Sequence, residues 1–582
     1  MAERTFGWVQ EAYVISSLKK VVQLFVHDSD VNRELRLVKI PRLIADKYGK
    51  DEFIRELSEE NISIPYQHLK GKGISGEYTR SNAPCSGIVQ AVLPGQRKGY
   101  QSDWPADSFL RWAVSIGFLE YDRKTDCCAL SEMGSKYAES EDGSKEEREI
   151  LEQAFLSYPP VCRVLTLLED GELYTKFEIG EKLGFIGEAG FTSIPQHMII
   201  SGLAELADNK KERNKLLSDT EGTSDKYART ICSWLKQLGW VRQAKKEVSI
   251  TIGGEKYTDK IAQSYQITIN GRKAIKHIKG TSKYKKISKR IMWDMLATKA
   301  VDRDYLRNRR THLINYLRSD FRKIEDLKNY LVTKGISETE STIEDDINNF
   351  VNIGLTVVQK QNAYKITDNI IGLDIPEEIQ KTKITKSDLA VVKDQIRKQL
   401  EHVDHKYLVL IDLGFDGRAN RDYEIQTAEL LTGELEFKGA RLGDTRKPDV
   451  CVYYGKDGLI IDNKAYGKGY SLPISQADEM VRYLEENKTR QTAVNPNEWW
   501  NIFEDSVKDF HFAFVSGEFV GGFQDKLQNI YERTGVRGAA MNTANLLLFA
   551  EELKAERLEY SNCFSYFDGN EEIRDFYIWN QQ

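Results

Sequence analysis

At 582 residues the chain is too long for one hydrophobic core, and length alone predicts about three to five domains of ~100–200 residues. Hydrophobic residues make up 40% and charged residues 30%, and the net charge of -6 excludes a globally basic nucleic-acid binder, so any such contact must be local. MAERTFGWVQEA has no apolar core of signal-peptide length, and no run reaches the ~18–20 apolar residues of a membrane helix. The seven cysteines form no CxxC pair. The expectation is a reduced, cytosolic, zinc-free protein.

The first two thirds of the chain repeat one order: a helix with an apolar face, a glycine stop, a strand-like return and a polar turn. SFLRWAVSIGFLEY (108–121) returns through CALSEMG, KYARTICSWLKQLGWVRQ (226–243) through SYQITINGRKA, and STIEDDINNFVNIGLTVV (341–358) through NAYKITD. Counting back from Gly117, Gly239 and Gly354, apolar residues stand one, four and seven positions earlier. They are Ile116, Ala113 and Leu110; Leu238, Leu235 and Cys232; and Ile353, Phe350 and Ile347. That spacing is one helix face, and the glycine suits a left-handed C-cap. Helix, glycine stop and hairpin form the back half of a winged helix-turn-helix. TKFEIGEKLGF (175–185) would supply the preceding helix of the second unit. Such modules either place a helix in the DNA major groove or dock other proteins.

Between the second and third units, RKAIKHIKGTSKYKKISKR (272–290) carries nine Lys/Arg and no acid, followed by Arg303, Arg307, Arg309 and Arg310. Phosphate contact is one reading, and a solvated basic face is the other. IGLDIPEEIQKTKITKS (371–387) has Pro and alternating charge without core periodicity and reads as a linker.

Beyond it the pattern becomes α/β, opening with a helix over 387–413 and another over 423–437. In TRKPDVCVYYGKDGLIIDNKAY, CVYY (451–454) and LIID (459–462) read as hairpin strands joined by GKDG. HFAFVSG (511–517) is a further strand, FQDKLQNIYERTG a helix, and AAMNTANLLLFAEELKA one more strand-helix step. Asp449 and Asp462 flank the turn almost symmetrically, so antiparallel pairing brings them near each other. Asp462 and Lys464, two apart, project from one face. Two carboxylates forced together favour a cation between them, and hard oxygen ligands with room for water and a phosphate suit Mg²⁺. The bland alternative is an exposed ion pair at strand ends, worth ~0–1 kcal/mol.

GDTRKPDVCVYYGKDGLIIDNKAYGKGYSLPISQADEMVRYLEEN resembles the nuclease domain of FokI-like type IIS restriction endonucleases, members of the PD-(D/E)xK superfamily. RTFGWVQ (4–10), NAPCSGIVQA (82–91), EGTSDKYAR (221–229) and MLATKAVDRDYLRNRR (295–310) resemble that family's recognition region, in the same domain order. The resemblance implies a multidomain chain: three mainly α, winged-helix-like recognition subdomains, then an α/β nuclease domain with a central mixed sheet. The divisions fall at 1–141, 142–282 and 283–369 (the last for docking), a linker at 370–386, and the nuclease at 387–582. It implies that Asp449 and Asp462 ligate Mg²⁺, that Asn463 adds a carbonyl ligand, and that Lys464 assists water attack. Glu424 or Glu429 would position a second ion. Gln10, Arg80, Gln96, Trp104, Asn214, Glu221 and Lys226 match base-reading positions, with chemistry suited to base edges.

Asp478 and Arg482, four apart, would pair within one helix for ~0.2–0.5 kcal/mol. The resemblance instead makes them the contact of a homodimer formed on double-stranded DNA. The implied activity is cleavage of both strands at a fixed distance from a short asymmetric site. A strand-specific nicking enzyme and a non-catalytic DNA-binding regulator remain as alternatives.

Overall fold

The computed structural model describes residues 4–79, 82–93, 100–206, 209–252, 255–281, 283–299, 302–380, 386–443 and 446–577. Three small antiparallel sheets recur with one strand order, in which the last strand in sequence lies between the other two. In the first, Cys127–Leu130 lies between Ser63–Pro65 and Leu119–Asp122. In the second, Glu255–Ile267 lies between Tyr174–Thr175 and Val241–Ile252. In the third, Ala363–Ile366 lies between Arg322–Lys323 and Val357–Lys360. A helix precedes each hairpin: Trp104–Ser115, Thr223–Gln237 and Glu340–Asn352. This is the winged-helix arrangement, present three times.

The glycine stops have the backbone their position demands. Gly117, Gly239 and Gly354 have φ of 84°, 71° and 105°, in the left-handed region that side chains disfavour. At Gly354 a Cβ would also stand 1.9 Å from the Pro159 carbonyl oxygen. The apolar faces ending at these glycines pack into one continuous core. Its centre holds Trp112 and Trp234, both fully buried and stacked at 4.5 Å with an interplanar angle of 9°.

Two readings of this region change. The basic segment is a helix, Ile269–Lys279, followed by the short strand Lys289–Arg290. Arg272, Lys273, Lys276, Lys283 and Lys285 stay exposed, as a solvated basic face would have them, while Lys279 pairs with Glu169 at 2.5 Å, and Lys286 and Lys289 meet Asp368 at 2.8 and 3.2 Å. Arg307, Arg309 and Arg310 are buried against Asp294, Asp346, Glu338 and Glu188. At the buried Arg307, Arg309 and Arg310 phosphate contact is therefore overturned, because acids distant in sequence already neutralise them. The linker is also partly tied down. Ile370–Ile371 pairs in parallel with Lys289–Arg290, and the Lys386 Nζ donates to Glu338 at 2.5 Å. Residues 381–385 lie outside the described residues.

The C-terminal third is a six-stranded mixed sheet. Its order is Lys438–Arg441, Val450–Tyr454, Asp457–Lys464, Asp509–Ser516, Gly538–Asn542 and Glu572–Ile573. The first three strands are antiparallel and the rest parallel. Separate apolar clusters cover its two faces. The helix expected over 387–413 is broken into Asp388–Arg397 and Val409–Gly414, with a 3₁₀ turn at His405–Leu408. The break has a local cause. The buried Glu551 carboxylate accepts the backbone N–H groups of His402 and Val403 at 3.0 Å each, replacing helical carbonyls as their partner.

This domain is docked on the second and third units. Lys393 donates to the Gly187 carbonyl at 2.9 Å, and Gln426 to that of Ser193 at 3.1 Å. Arg397 and His405 both reach Asp345 at 2.9 Å. Among the described residues no helix is long and apolar enough to cross a membrane.

Candidate active site

The hairpin turns at Gly455, which has φ of 60°. Pairing of Val450 with Ile461 sets Asp449 beside Asp462 at the end of the ladder. Asp449 Oδ2 accepts the Asn463 backbone N–H at 2.7 Å, which aims its carboxylate at the neighbouring strand. Lys464 Nζ lies 2.8 Å from Asp462 Oδ1. The Asp462 and Lys464 side chains are only 4% and 17% exposed, so this is a buried cluster and the exposed-pair alternative fails.

Burial is the first cause, and the charges of Asp462 and Glu424 the next, that hold the Asp449 carboxyl well above its usual range. Burial opposes the charge on Lys464, but Asp462 and Asp449 outweigh it and hold the ammonium above its ordinary value. Among the described residues, Asp462 Oδ2 and Asn463 Oδ1 are buried acceptors without donors. A crowded acid pair with an unsatisfied oxygen acceptor fits a hard divalent cation.

The two candidate glutamates separate clearly. Glu424 is near enough to act on Asp449 and is held by Arg441 Nη2 at 2.7 Å. Glu429, further along the helix Asn420–Glu429, faces the second unit, 3.2 Å from His197 Nε2 and 3.8 Å from Lys406 Nζ. Only Glu424 adjoins the acid pair. Arg441, its anchor, carries no local sequence signal.

Residues 386–574 match the family model of the FokI cleavage domain, 4–140 and 147–283 those of recognition subdomains 1 and 2, and 296–362 that of the D3 domain. The chain is 39% identical over 576 residues to the type II restriction enzyme FokI of Planomicrobium okeanokoites, covering 98% of this chain and 99% of that one. The chain belongs to the FokI family. It is also 30% identical over 560 residues to the type II restriction enzyme StsI of Streptococcus sanguinis, covering 94% and 91% of the two chains. Solved structures of FokI, alone and bound to DNA, each superpose with a TM-score of 0.90 at 38% identity. They cover 98% of this chain and 100% and 99% of theirs. As a FokI-family nuclease the chain uses a divalent metal.

The residues matched to the family's base readers sit on the first two winged-helix units. Gln10 is half-buried and hydrogen-bonds Tyr227. Trp104 begins its helix and is 43% exposed. Asn214 lies on the helix Lys210–Asp219. Lys226 is half-buried near Asp422 of the nuclease domain. The Glu221 carboxylate, 4% exposed, is engaged by Lys176 and by Arg229 Nε at 2.8 Å, so it is not open to a duplex here. Arg80 and Gln96 lie outside the described residues.

Asp478 and Arg482 share the outer helix Ile474–Thr489, but the expected pair between them does not form. Asp478 meets Arg533 Nη1 at 2.5 Å and Arg482 meets Glu479 at 3.0 Å, each taken by a nearer partner.

Proposed function

We propose that this type IIS restriction endonuclease binds a short asymmetric duplex site and hydrolyses both strands a fixed distance downstream, with Mg²⁺ as its metal. The single observation carrying the reading is the buried meeting of Asp449, Asp462 and Lys464, with an unsatisfied Asp462 oxygen at its centre. Asp449, Asp462 and the Asn463 carbonyl would hold the metal. Bound there, Mg²⁺ would polarise a phosphoryl oxygen and ease loss of a proton from water. Lys464, fixed by Asp462, orients the attacking water and offsets negative charge growing on the pentavalent phosphorus. The water oxygen bonds to phosphorus, the bond to the 3′-oxygen breaks, and the products are a 5′-phosphate and a 3′-hydroxyl.

We assign recognition to the units at 1–141 and 142–282, through Gln10, Arg80, Gln96, Trp104, Asn214 and Lys226, with Glu221 taking part once Lys176 and Arg229 release it. The unit at 283–369 docks the nuclease at 387–582 until cognate DNA is bound. Asp345 supports that role, since it holds both Arg397 and His405. Each nuclease site cuts one strand, so two copies pair through Asp478 and Arg482 on the DNA. The setting is the bacterial cytoplasm.

Plasmid incubated with the protein and Mg²⁺ tests this. The expected product is linear DNA whose sequenced ends give site and offset. Open-circular DNA identifies a nickase, and intact plasmid a regulator.

A further inference from the structure

Tyr470 follows the catalytic strand and stands against the same sheet face as Asp462. Asp462 and Phe514 are register partners on adjacent parallel strands, and the Tyr470 ring lies 6.3 Å from that of Phe514. Burial, and then the charges of Asp462, Tyr466, Glu479 and Asp449, hold its phenol above the ordinary range. The residue is 1% exposed, and among the described residues its hydroxyl is buried without a hydrogen-bond partner. Leaving such a group unpaired costs ~1–3 kcal/mol. Tyr483, on the helix above, is different: its hydroxyl reaches the Lys447 carbonyl at 2.8 Å and Glu479 at 3.0 Å.

The ring is fixed from several sides. It stacks on Tyr466 at 5.3 Å and 25°, and meets Phe519 edge-on at 6.0 Å and 67°. Its backbone N–H donates to the Glu518 carbonyl at 2.8 Å, and its carbonyl accepts from Val520 at 3.0 Å. A donor so held needs no ordering when a ligand arrives. Among the described residues Asp462 Oδ2, on the same sheet face, is likewise without a donor. The body that satisfies both must offer an acceptor oxygen to Tyr470 and a cation to Asp462. A phosphodiester with its divalent ion does both.

We propose that Tyr470 is a further catalytic residue of this site, its hydroxyl donating to a non-bridging oxygen of the scissile phosphate. The inference rests on the hydrolytic reading of Asp449, Asp462 and Lys464. The test is single-turnover cleavage by full-length Tyr470→Phe enzyme on cognate duplexes carrying either one phosphorothioate diastereomer or none at the scissile bond. Wild type and Asp462→Ala run alongside. The variant should cleave on the order of 10²-fold more slowly, with unchanged DNA affinity and an unchanged or higher Tm. The diastereomer that slows wild type should slow the variant several-fold less, because the contact it weakens is already gone. Wild-type rates in Tyr470→Phe, or equal sulfur effects in both enzymes, overturn the proposal. Cleavage by Asp462→Ala at the wild-type rate overturns the underlying reading instead.

Discussion

Asp449 accepts the backbone N–H of Asn463 across the hairpin at 2.7 Å, and this bond presses its carboxylate toward that of Asp462. The hairpin register therefore crowds the two charges, and burial together with the Asp462 charge holds the Asp449 carboxyl well above its usual range. Asp449→Asn keeps the acceptor for Asn463 and removes the repulsion. In chelator at pH 8 it should raise the Tm of the nuclease transition by about 2–4 °C per kcal/mol relieved. The folded carboxyl titrates above its unfolded value, so wild-type stability falls as pH rises, and the gap to the variant should widen. With metal, cutting should be lost. A lower Tm than wild type at pH 8 would contradict the crowding argument.

The outer helix gives a second prediction. Asp478 and Arg482 make separate exposed or half-exposed pairs, worth ~0–1 kcal/mol. Asp478→Arg and Arg482→Asp should thus leave Tm nearly unchanged while each alone loses double-strand cutting. In a two-fold dimer each substitution repels its own copy, and mixing the two variants restores opposite charges across both contacts. Gel assay for linear plasmid decides it: undiminished cutting by either single variant places the dimer contact elsewhere.

Docking of the nuclease should weaken as pH rises. Burial pushes Glu429 from 4.5 up to about 7 at the interface with the second unit. His405, beside Asp345, is raised above its ordinary 6.5. Both groups hold a proton more tightly when docked, so docking is favoured at low pH and loses that contribution as pH passes through the docked values. His197 acts in the other direction. Burial holds it below 6.5, so it stays neutral beside Glu429, and protonation below 6.5 favours release. Between pH 6.5 and about 7, therefore, Glu429 and His405 act without opposition from His197. Small-angle scattering of DNA-free enzyme should show expansion over that window. Glu429→Gln should flatten the profile, and an unchanged profile would remove Glu429 from the latch.

Much of this was legible because its signals are local. Apolar spacing before Gly117, Gly239 and Gly354 and the two strands around Gly455 depend on residues within one or two turns of chain. Asp449, Asp462 and Lys464 were legible for the same reason: one hairpin carries all three. The helix break near His402 was hidden because its cause, Glu551, lies about 150 residues on. Arg309 and Arg310 misled because a local count of charge cannot see Asp346 and Glu338 approaching from another helix and loop. Tyr470 gave no signal either, since its lack of a partner exists only in three dimensions.

The buried arginines of the third unit carry the last prediction. Arg309 grips Asp346 with Nε at 2.7 Å and Nη2 at 3.0 Å, and reaches Glu338 with Nη1 at 2.9 Å. Glu338 also accepts from Tyr305 at 2.8 Å and from Lys386 at 2.5 Å, at the start of the nuclease domain. Arg309→Met takes one cation from two buried carboxylates, Asp346 keeping Arg310 and Glu338 keeping Lys386, a loss of about 1.5–3 kcal/mol. Because Glu338 also anchors Lys386, the loosened unit should release the nuclease and raise metal-dependent nicking of DNA that lacks the cognate site. Arg309→Lys should not rescue either effect, since an ammonium cannot reproduce the planar fork. Thermal unfolding and a non-cognate plasmid assay check the two together. A variant that loses stability without gaining non-cognate nicking would show that Arg309 stabilises the third unit without acting on docking.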